Sequence, residues 1–399
     1  MEKKRNRRKK WTRFRHKVVR DLVSLPLLCY SRLHYGFRAE PFPEGKGRQF
    51  LILMNHQTAF DQFFIGLLFK QPVYYVATED IFSNGWISSL IRYLVAPIPI
   101  KKATADVRAV LNCRQVASEG GTIAIAPEGN RTYSGRTGYM KPAISGLIKC
   151  LKLPVAFVRI EGGYGVEPRW AGAGRKGKMT ARVSRVMEPE EYLELSDEQL
   201  LGEVRKELSV DENVVNGVFK SKKTAERMER VLYVCPDCGL TRFTSKGRLV
   251  TCNTCGKTVR YSEDKQMTGE GFDFPYRFFG EWYDAQEAFV RTLDLSAYLD
   301  KPMFTDTARF SEVIPYKRKR KISKHAAISL FGDRLEIDGQ VYAFSDISAM
   351  SVLGKNKLNF YYQKSIYQFK GDVTFNALKY MNIYYHSKKE GEENEFLGL

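Results

Sequence analysis

The chain reads as an α/β protein with a mainly parallel sheet and flanking helices, followed by a small cysteine module and a mostly β, barrel-like C-terminal domain. Three observations predict this. Between residues 50 and 185 strand-length apolar runs alternate with helix-period segments, the pattern of a sheet layered with crossover helices. Two Cys-x-x-Cys pairs at 235–255 are separated by thirteen residues. From residue 327 onward short alternating runs are punctuated by Gly332-Asp333, Asp338-Gly339 and Gly354-Lys355 turns.

In chain order, residues 8–37 are basic first and apolar-aromatic afterwards (Leu22, Val23, Leu25, Leu27, Leu28, Tyr30, Leu33) and read as an amphipathic, interfacial element. A turn-rich stretch at 41–47 enters a buried strand at 50–54, and a helix over 62–70 follows with Asp61 in its first turn. A strand at 72–78, a helical segment at 81–94 and a short strand at 96–102 come next, the last ending in Lys101 and Lys102. Asp106 opens a helix over 106–118, and Gly120-Gly121 closes it. Strands at 122–126, 154–160 and 178–185 and a helix at 143–151 complete the layer, with a polar helical tail at 187–232. Residues 263–304 are aromatic with a helix near 281–292. Six strands follow, at 327–331, 334–337, 341–344, 347–353, 358–362 and 366–369, with a closing helix at 374–386. The expected division is 1–37 interfacial element, 38–232 α/β domain, 233–262 cysteine module, 263–304 linker, 305–389 β domain and 390–399 disordered acidic tail.

Composition narrows the function classes. The net charge is +19, and residues 1–20 hold eleven Lys or Arg against Glu2 alone. Such a run attracts polyanions, either nucleic acid or an anionic lipid surface. No run reaches the ~18–20 apolar residues that cross a bilayer, and no secretory signal pattern is present. A peripheral position on the cytoplasmic face of a membrane is the expectation. Cys29, Cys113 and Cys150 stand alone in apolar contexts and read as reduced core or interface residues.

Two stretches carry chemistry. Asn55-His56-Gln57-Thr58-Ala59-Phe60-Asp61 lies in the turn between the first strand and its helix. There Asp61 can fold back onto the His56 imidazole, giving a general base with an orienting carboxylate and no nucleophilic Ser or Cys. The plain alternative is a surface histidine beside a helix-capping aspartate. The second stretch, Ala126-Pro127-Glu128-Gly129-Asn130-Arg131-Thr132, also follows a strand. His-x-x-x-x-Asp followed by Pro-Glu-Gly-Asn-Arg-Thr resembles the glycerolipid, or lysophosphatidic acid, acyltransferase family over residues 20–195. That family's pattern is Asn-His-x-Ser-x-x-Asp and then Glu-Gly-Thr-Arg-Ser. Here Thr58, Asn130 and Thr132 replace Ser, Thr and Ser.

The resemblance implies that a fatty acyl group passes from an acyl thioester to a lysophospholipid hydroxyl. The donor is acyl-CoA or acyl carrier protein, and 1-acylglycerol 3-phosphate is the leading acceptor. It implies His56 as base, Asp61 as its orienting partner, Arg131 with Lys101 or Lys102 as phosphate ligands, and Glu128 and Gly129 as residues shaping the loop that presents Arg131. No catalytic cofactor is expected. Where the family has Arg after its short strand, this chain has Lys101 or Lys102, which supplies charge without the bidentate fork. Alternatives are glycerol 3-phosphate or another lysolipid as acceptor, or a catalytically silent lipid-binding scaffold.

Cys235-Pro236-Asp237-Cys238-Gly239 and Cys252-Asn253-Thr254-Cys255-Gly256 resemble the two knuckles of a zinc ribbon. Four thiolates suit one tetrahedral structural zinc per chain, with a hairpin between the knuckles. Zinc ribbons often bind nucleic acid, but a metal-stapled structural module is the preferred reading, and nucleic acid is not expected as a partner. The C-terminal strands and helix resemble a pleckstrin-homology-like barrel.

Overall fold

The computed structural model of the chain describes residues 10–388, apart from 84, 101–105, 216 and 315–318. Helix α1 (Phe14–Tyr35) leads into β1 (Phe37–Ala39). There follow β2 (Leu51–Met54), α2 (Asp61–Ile65), β3 (Val73–Thr78), α3 (Trp86–Leu94), β4 (Ile98–Ile100), α4 (Val107–Ser118) and β5 (Thr122–Ile125). The layer ends with α5 (Ala143–Leu151), β6 (Val155–Glu161), α6 (Gly163–Val166) and β7 (Met179–Met187). The strand order is β1-β7-β6-β2-β5-β3-β4, and only the β6–β7 pairing is antiparallel. The sheet is therefore mainly parallel.

β2 lies in mid-sheet because Leu51, Ile52, Leu53 and Met54 offer no polar face to water. Leu51 and Leu53 pack with Ile123, Ile148 and Phe157 on one side, and Ile52 and Met54 with Phe64 and Val158 on the other. Asp106 caps α4 as expected, its carboxylate accepting the Arg108 and Ala109 N–H groups. α2 is shorter than the sequence predicts. After Ile65 the chain tightens into turns with Leu67 N–H to Phe64 and Leu68 N–H to Ile65 bonds, which let Leu68 and Phe69 reach the core. The expected helical tail is realised only as α7 (Pro189–Leu193) and α8 (Asp197–Leu208). Beyond α8, turn-forming Asp211, Asn213 and Gly217 precede a stretch with only a 3-10 turn at Met228–Arg230.

The cysteine module comprises β8 (Val234–Cys235) and β9 (Gly239–Leu240), then the meander β10 (Phe243–Lys246), β11 (Leu249–Cys252), β12 (Thr258–Tyr261) and β13 (Met267–Gly269). Helix α9 (Phe279–Arg291) joins it to β14 (Phe304–Glu312), β15 (Arg320–Leu330), β16 (Arg334–Ile337), β17 (Gln340–Ala343), β18 (Ile347–Leu353), β19 (Lys357–Tyr362), β20 (Ser365–Lys370) and α10 (Leu378–Ser387). These seven strands form one antiparallel sheet, ordered β17-β16-β15-β14-β20-β19-β18, curled into a half-barrel. β14 was not anticipated, although it joins the two halves by pairing with both β15 and β20. Register shifts around Phe310 interrupt its alternation, so its pattern does not read as a strand.

One hydrophobic core unites the cysteine module, α9, the half-barrel and three residues of the α/β layer outside its strands, Tyr133, Tyr164 and Trp170. The later parts thus pack against the loops of the α/β layer. Among the described residues no helix is long and apolar enough to cross a membrane.

Candidate active site

β2 and β5 are adjacent parallel strands, and each is followed by one of the two motifs. Ligand sites in such sheets gather at the carboxyl ends of strands. Asn55, at the end of β2, locks this edge by exchanging two hydrogen bonds with the Ile160 backbone of β6, at 2.7 and 2.8 Å. His56 then turns out of the sheet with its side chain 21% exposed.

The His56 Nδ1 lies 2.8 Å from Asp61 Oδ2. Asp61 is fully buried, and its Oδ2 also accepts the backbone N–H groups of Gln57 and Thr58, at 2.6 and 2.9 Å. The Thr58 hydroxyl donates to the other oxygen at 2.6 Å. A carboxylate with this many donors is fixed in position before any ligand arrives. The five-residue spacing works because residues 55–60 form a turn rather than helix, as the strand-to-turn pattern predicts.

The second motif clasps the first. Glu128 Oε1 accepts the His56 backbone N–H at 2.8 Å, and Oε2 accepts the Gly138 N–H at 2.6 Å. The Thr132 N–H donates to the His56 carbonyl at 3.0 Å. Burial pushes the Glu128 carboxyl up to about 8, against those two N–H groups, which favour its anion. Gly129 has a φ of 64°, a left-handed conformation that costs glycine little. Glu128 makes no ion pair with Arg131 among the described residues, so the loop's clamp is backbone, not guanidinium. Arg131 Nη1 is buried with no hydrogen-bond partner. Lys101 and Lys102 lie outside the described residues.

Several residues that hold the site were not singled out from sequence. Gln57 Nε2 donates to Glu212 Oε1 at 2.9 Å, and its Oε1 accepts the Tyr164 N–H at 3.1 Å. Glu212 also accepts the Gly162 N–H at 2.6 Å. Lys265, in the turn between β12 and β13, lies 3.8 Å from the Glu212 carboxylate and donates to the Val215 carbonyl at 2.8 Å. Arg169 is buried and bridges two regions, donating to the Arg131 carbonyl at 3.0 Å and to the Val352 and Gly354 carbonyls at 2.8 and 3.2 Å. Burial lowers its pKa to about 10. No local pattern could have marked these residues, since each partner is remote in sequence.

Cys235, Cys238, Cys252 and Cys255 converge, with all four Sγ atoms within 4.8 Å of one another. The Cys235–Cys255 and Cys238–Cys252 separations are 3.9 and 4.0 Å. Bonds of about 2.3 Å in a tetrahedron put sulfurs about 3.8 Å apart, so the set could hold one metal ion. Gly239 and Gly256, one after each pair, both have positive φ. The glycines are there for the backbone turn of each knuckle.

Residues 37–160 match the family model described as Acyltransferase. The match spans less than a third of the chain and contains both motifs, and it supports acyl transfer as the general activity. Among solved structures, the 1-acyl-sn-glycerophosphate (LPA) acyltransferase PlsC from Thermotoga maritima is similar at 23% identity and a TM-score of 0.40, covering 49% of this chain and 80% of that one. The comparison with curated proteins gave no match.

Proposed function

We propose that the chain moves a fatty acyl group from an acyl thioester to the free hydroxyl of a phosphate-bearing lysolipid, 1-acylglycerol 3-phosphate being the simplest, to give phosphatidic acid. The observation that carries this reading is the 2.8 Å contact between His56 Nδ1 and a buried, multiply bonded Asp61. With Nδ1–H donated to Asp61, Nε2 holds the free lone pair. It takes the acceptor hydroxyl proton as that oxygen attacks the thioester carbonyl carbon. The C–O bond forms and the C–S bond breaks. The imidazolium then returns its proton to the leaving thiolate, Asp61 having stabilised the cation meanwhile. No acyl-enzyme is required, since the Thr58 hydroxyl is engaged by Asp61 and neither motif contains Ser or Cys.

Arg131 is the phosphate ligand in this reading, with Lys101 or Lys102 as a second cation. Its buried, unpartnered Nη1 supports the assignment, because a guanidinium nitrogen left without a partner is costly unless an anion arrives. Glu128 and Gly129 hold the loop. The four cysteines carry one structural zinc, and residues 38–232 form the unit that does the chemistry. The donor is acyl-CoA or acyl carrier protein, and the reaction runs at an anionic membrane surface, where both lipid chains reside.

The test is an acyl-transfer assay with a panel of lysolipids and both donor types. Transfer to a phosphate-bearing lysolipid is expected, falling at least ~100-fold in His56→Ala, the scale of lost general-base catalysis. A folded His56→Ala protein that turns over at the normal rate would overturn the assignment.

A further inference from the structure

A cavity of about 670 Å³ opens between the loop that carries Glu128 and Arg131 and helix α9. One wall comes from the acyltransferase-family segment, the other from a helix outside it, which makes the cavity a feature of this chain's own architecture. Most polar groups on its walls are already satisfied. Arg136 pairs with Asp211 and Asp284. Thr132 Oγ1 accepts the Gly135 N–H, Ser134 Oγ the Arg136 N–H, and Thr137 Oγ1 the Val210 N–H.

Three lining atoms are left over: Arg131 Nη1, the Tyr283 hydroxyl and Glu287 Oε1, each buried and without a well-formed hydrogen bond among the described residues. Tyr283 is itself only 1% exposed, its ring stacked on Tyr133 at 6.4 Å. Tyr283 and Glu287 sit one turn apart on α9 and face each other as a hydrogen-bonding pair, one too loose in geometry to satisfy either atom. Burial pushes the Glu287 carboxyl up to about 7. Native proteins rarely leave such a cluster unsatisfied without a ligand or water to fill it.

We infer that this cavity takes the head group of a lysophospholipid phosphodiester bearing hydroxyls, the phosphate meeting Arg131 and a head-group hydroxyl meeting Tyr283 and Glu287. The inference rests on the reading of Arg131 as phosphate ligand and extends the acceptor class beyond the bare monoester. A monoester alone satisfies Arg131 and leaves the other two atoms as they are. An ammonium head group can donate to Glu287 but has no lone pair for the Tyr283 proton. A hydroxyl both donates to the carboxylate and accepts from the phenol.

Titration calorimetry on the full chain reads this without catalysis, using three soluble probes: sn-glycerol 3-phosphate, glycerophosphoglycerol and glycerophosphoethanolamine. Glycerophosphoglycerol is expected to bind about tenfold more tightly than the monoester, the scale of one or two added hydrogen bonds. Tyr283→Phe keeps the stacked ring and Glu287→Gln keeps the shape, and each should cut that ratio to about twofold or less. Equal affinities in the unaltered protein overturn the inference and leave the phosphate reading standing, provided that Arg131→Ala weakens both probes. A ratio that survives both substitutions, or an ethanolamine probe that binds as well as the glycerol one, also overturns it, the latter in favour of a cationic head group. If no probe binds, both readings fall. If the probes bind as expected but no lysolipid is acylated, the head-group site stands and the proposed chemistry does not.

Discussion

Asp61 serves four donors with two oxygens, and that count decides what its removal does. In Asp61→Asn the amide oxygen can keep the place of Oδ2, holding His56 and the Gln57 and Thr58 N–H groups. The amide nitrogen then faces the Thr58 hydroxyl, which can rotate to accept. The turn should survive while the charge is lost, so the expected result is a native fold with the rate of acyl transfer down about 100-fold. Circular dichroism checks the fold and steady-state kinetics the rate. A rate within a few-fold of the unaltered protein would leave Asp61 as a turn cap only. Arg131→Ala should raise the Michaelis constant of a phosphate-bearing acceptor, through loss of a charge-assisted contact of about 1.5–3 kcal/mol, while the donor constant moves little. Equal movement of both constants would mean that Arg131 shapes the loop instead. At this scale the sequence was readable where a side chain acts through a short turn, as His56 and Asp61 do. Glu128 was legible as a motif but not as a clamp on the His56 and Gly138 backbone, because nothing in a string of residues marks which N–H a carboxylate will meet.

The cysteine module illustrates the same limit for an element. Its spacing announced four converging thiols, and Cys235, Cys238, Cys252 and Cys255 do converge. Its spacing said nothing of Lys265, which reaches from the β12–β13 turn to Glu212 and, through it, to Gln57 beside His56. From sequence the module reads as a metal-stapled structural unit, and this chain of contacts argues that it is coupled to the chemistry. Burial raises the Glu212 pKa and lowers that of Lys265, so both charges are held against the cost of leaving water. Breaking such a pair costs on the order of 3–5 kcal/mol. Cys238→Ser, or chelation of the metal, is expected to expose the module to protease and to lower acyl transfer as well. Lys265→Met should lower activity while keeping its full metal content by elemental analysis. Metal-free protein with undiminished activity would restore the view of a mere staple. β14 was missed for a related reason: the irregular register that joins two half-sheets hides the alternation by which a strand is recognised.

For the whole molecule, the sequence did not tell what the inner face of the N-terminal stretch docks on. The stretch is built into the α/β layer. Trp11 Nε1 donates to the Ala96 carbonyl at 2.8 Å, Glu119 accepts both the Trp11 and Thr12 N–H groups at 2.7 Å, and the Tyr35 hydroxyl reaches Glu167 at 2.7 Å. Removing residues 1–37 would therefore damage the fold along with any membrane contact, and substitutions at exposed positions are the sounder probe. Leu22, Leu25 and Leu33 on α1 are 71, 67 and 81% exposed, whereas Leu27 and Leu28 are partly buried. Helix α3, joined to the start of α1 by the Arg15 bond to the Tyr93 carbonyl, presents Trp86 at 70% exposure. In the membrane-surface reading proposed above, charge from residues 1–20 would draw the protein to an anionic surface, at about 1 kcal/mol or less for each engaged basic residue, and these side chains would then insert. Full burial of each large apolar side chain is worth about 1.5–3 kcal/mol, so even half-insertion of three should matter. The triple variant Leu22→Ser, Leu25→Ser, Trp86→Ser is expected to lose about tenfold or more of its affinity for anionic vesicles in a flotation assay. It should also lose more activity on membrane-embedded acceptor than on acceptor dispersed in detergent. Raising salt should weaken the unaltered protein and leave a residual apolar fraction, and it should release the triple variant almost entirely, because only the screened term remains to it. A triple variant that floats as well as the unaltered chain at high salt would move the anchor elsewhere, to the exposed Arg320 and Lys321 of the half-barrel.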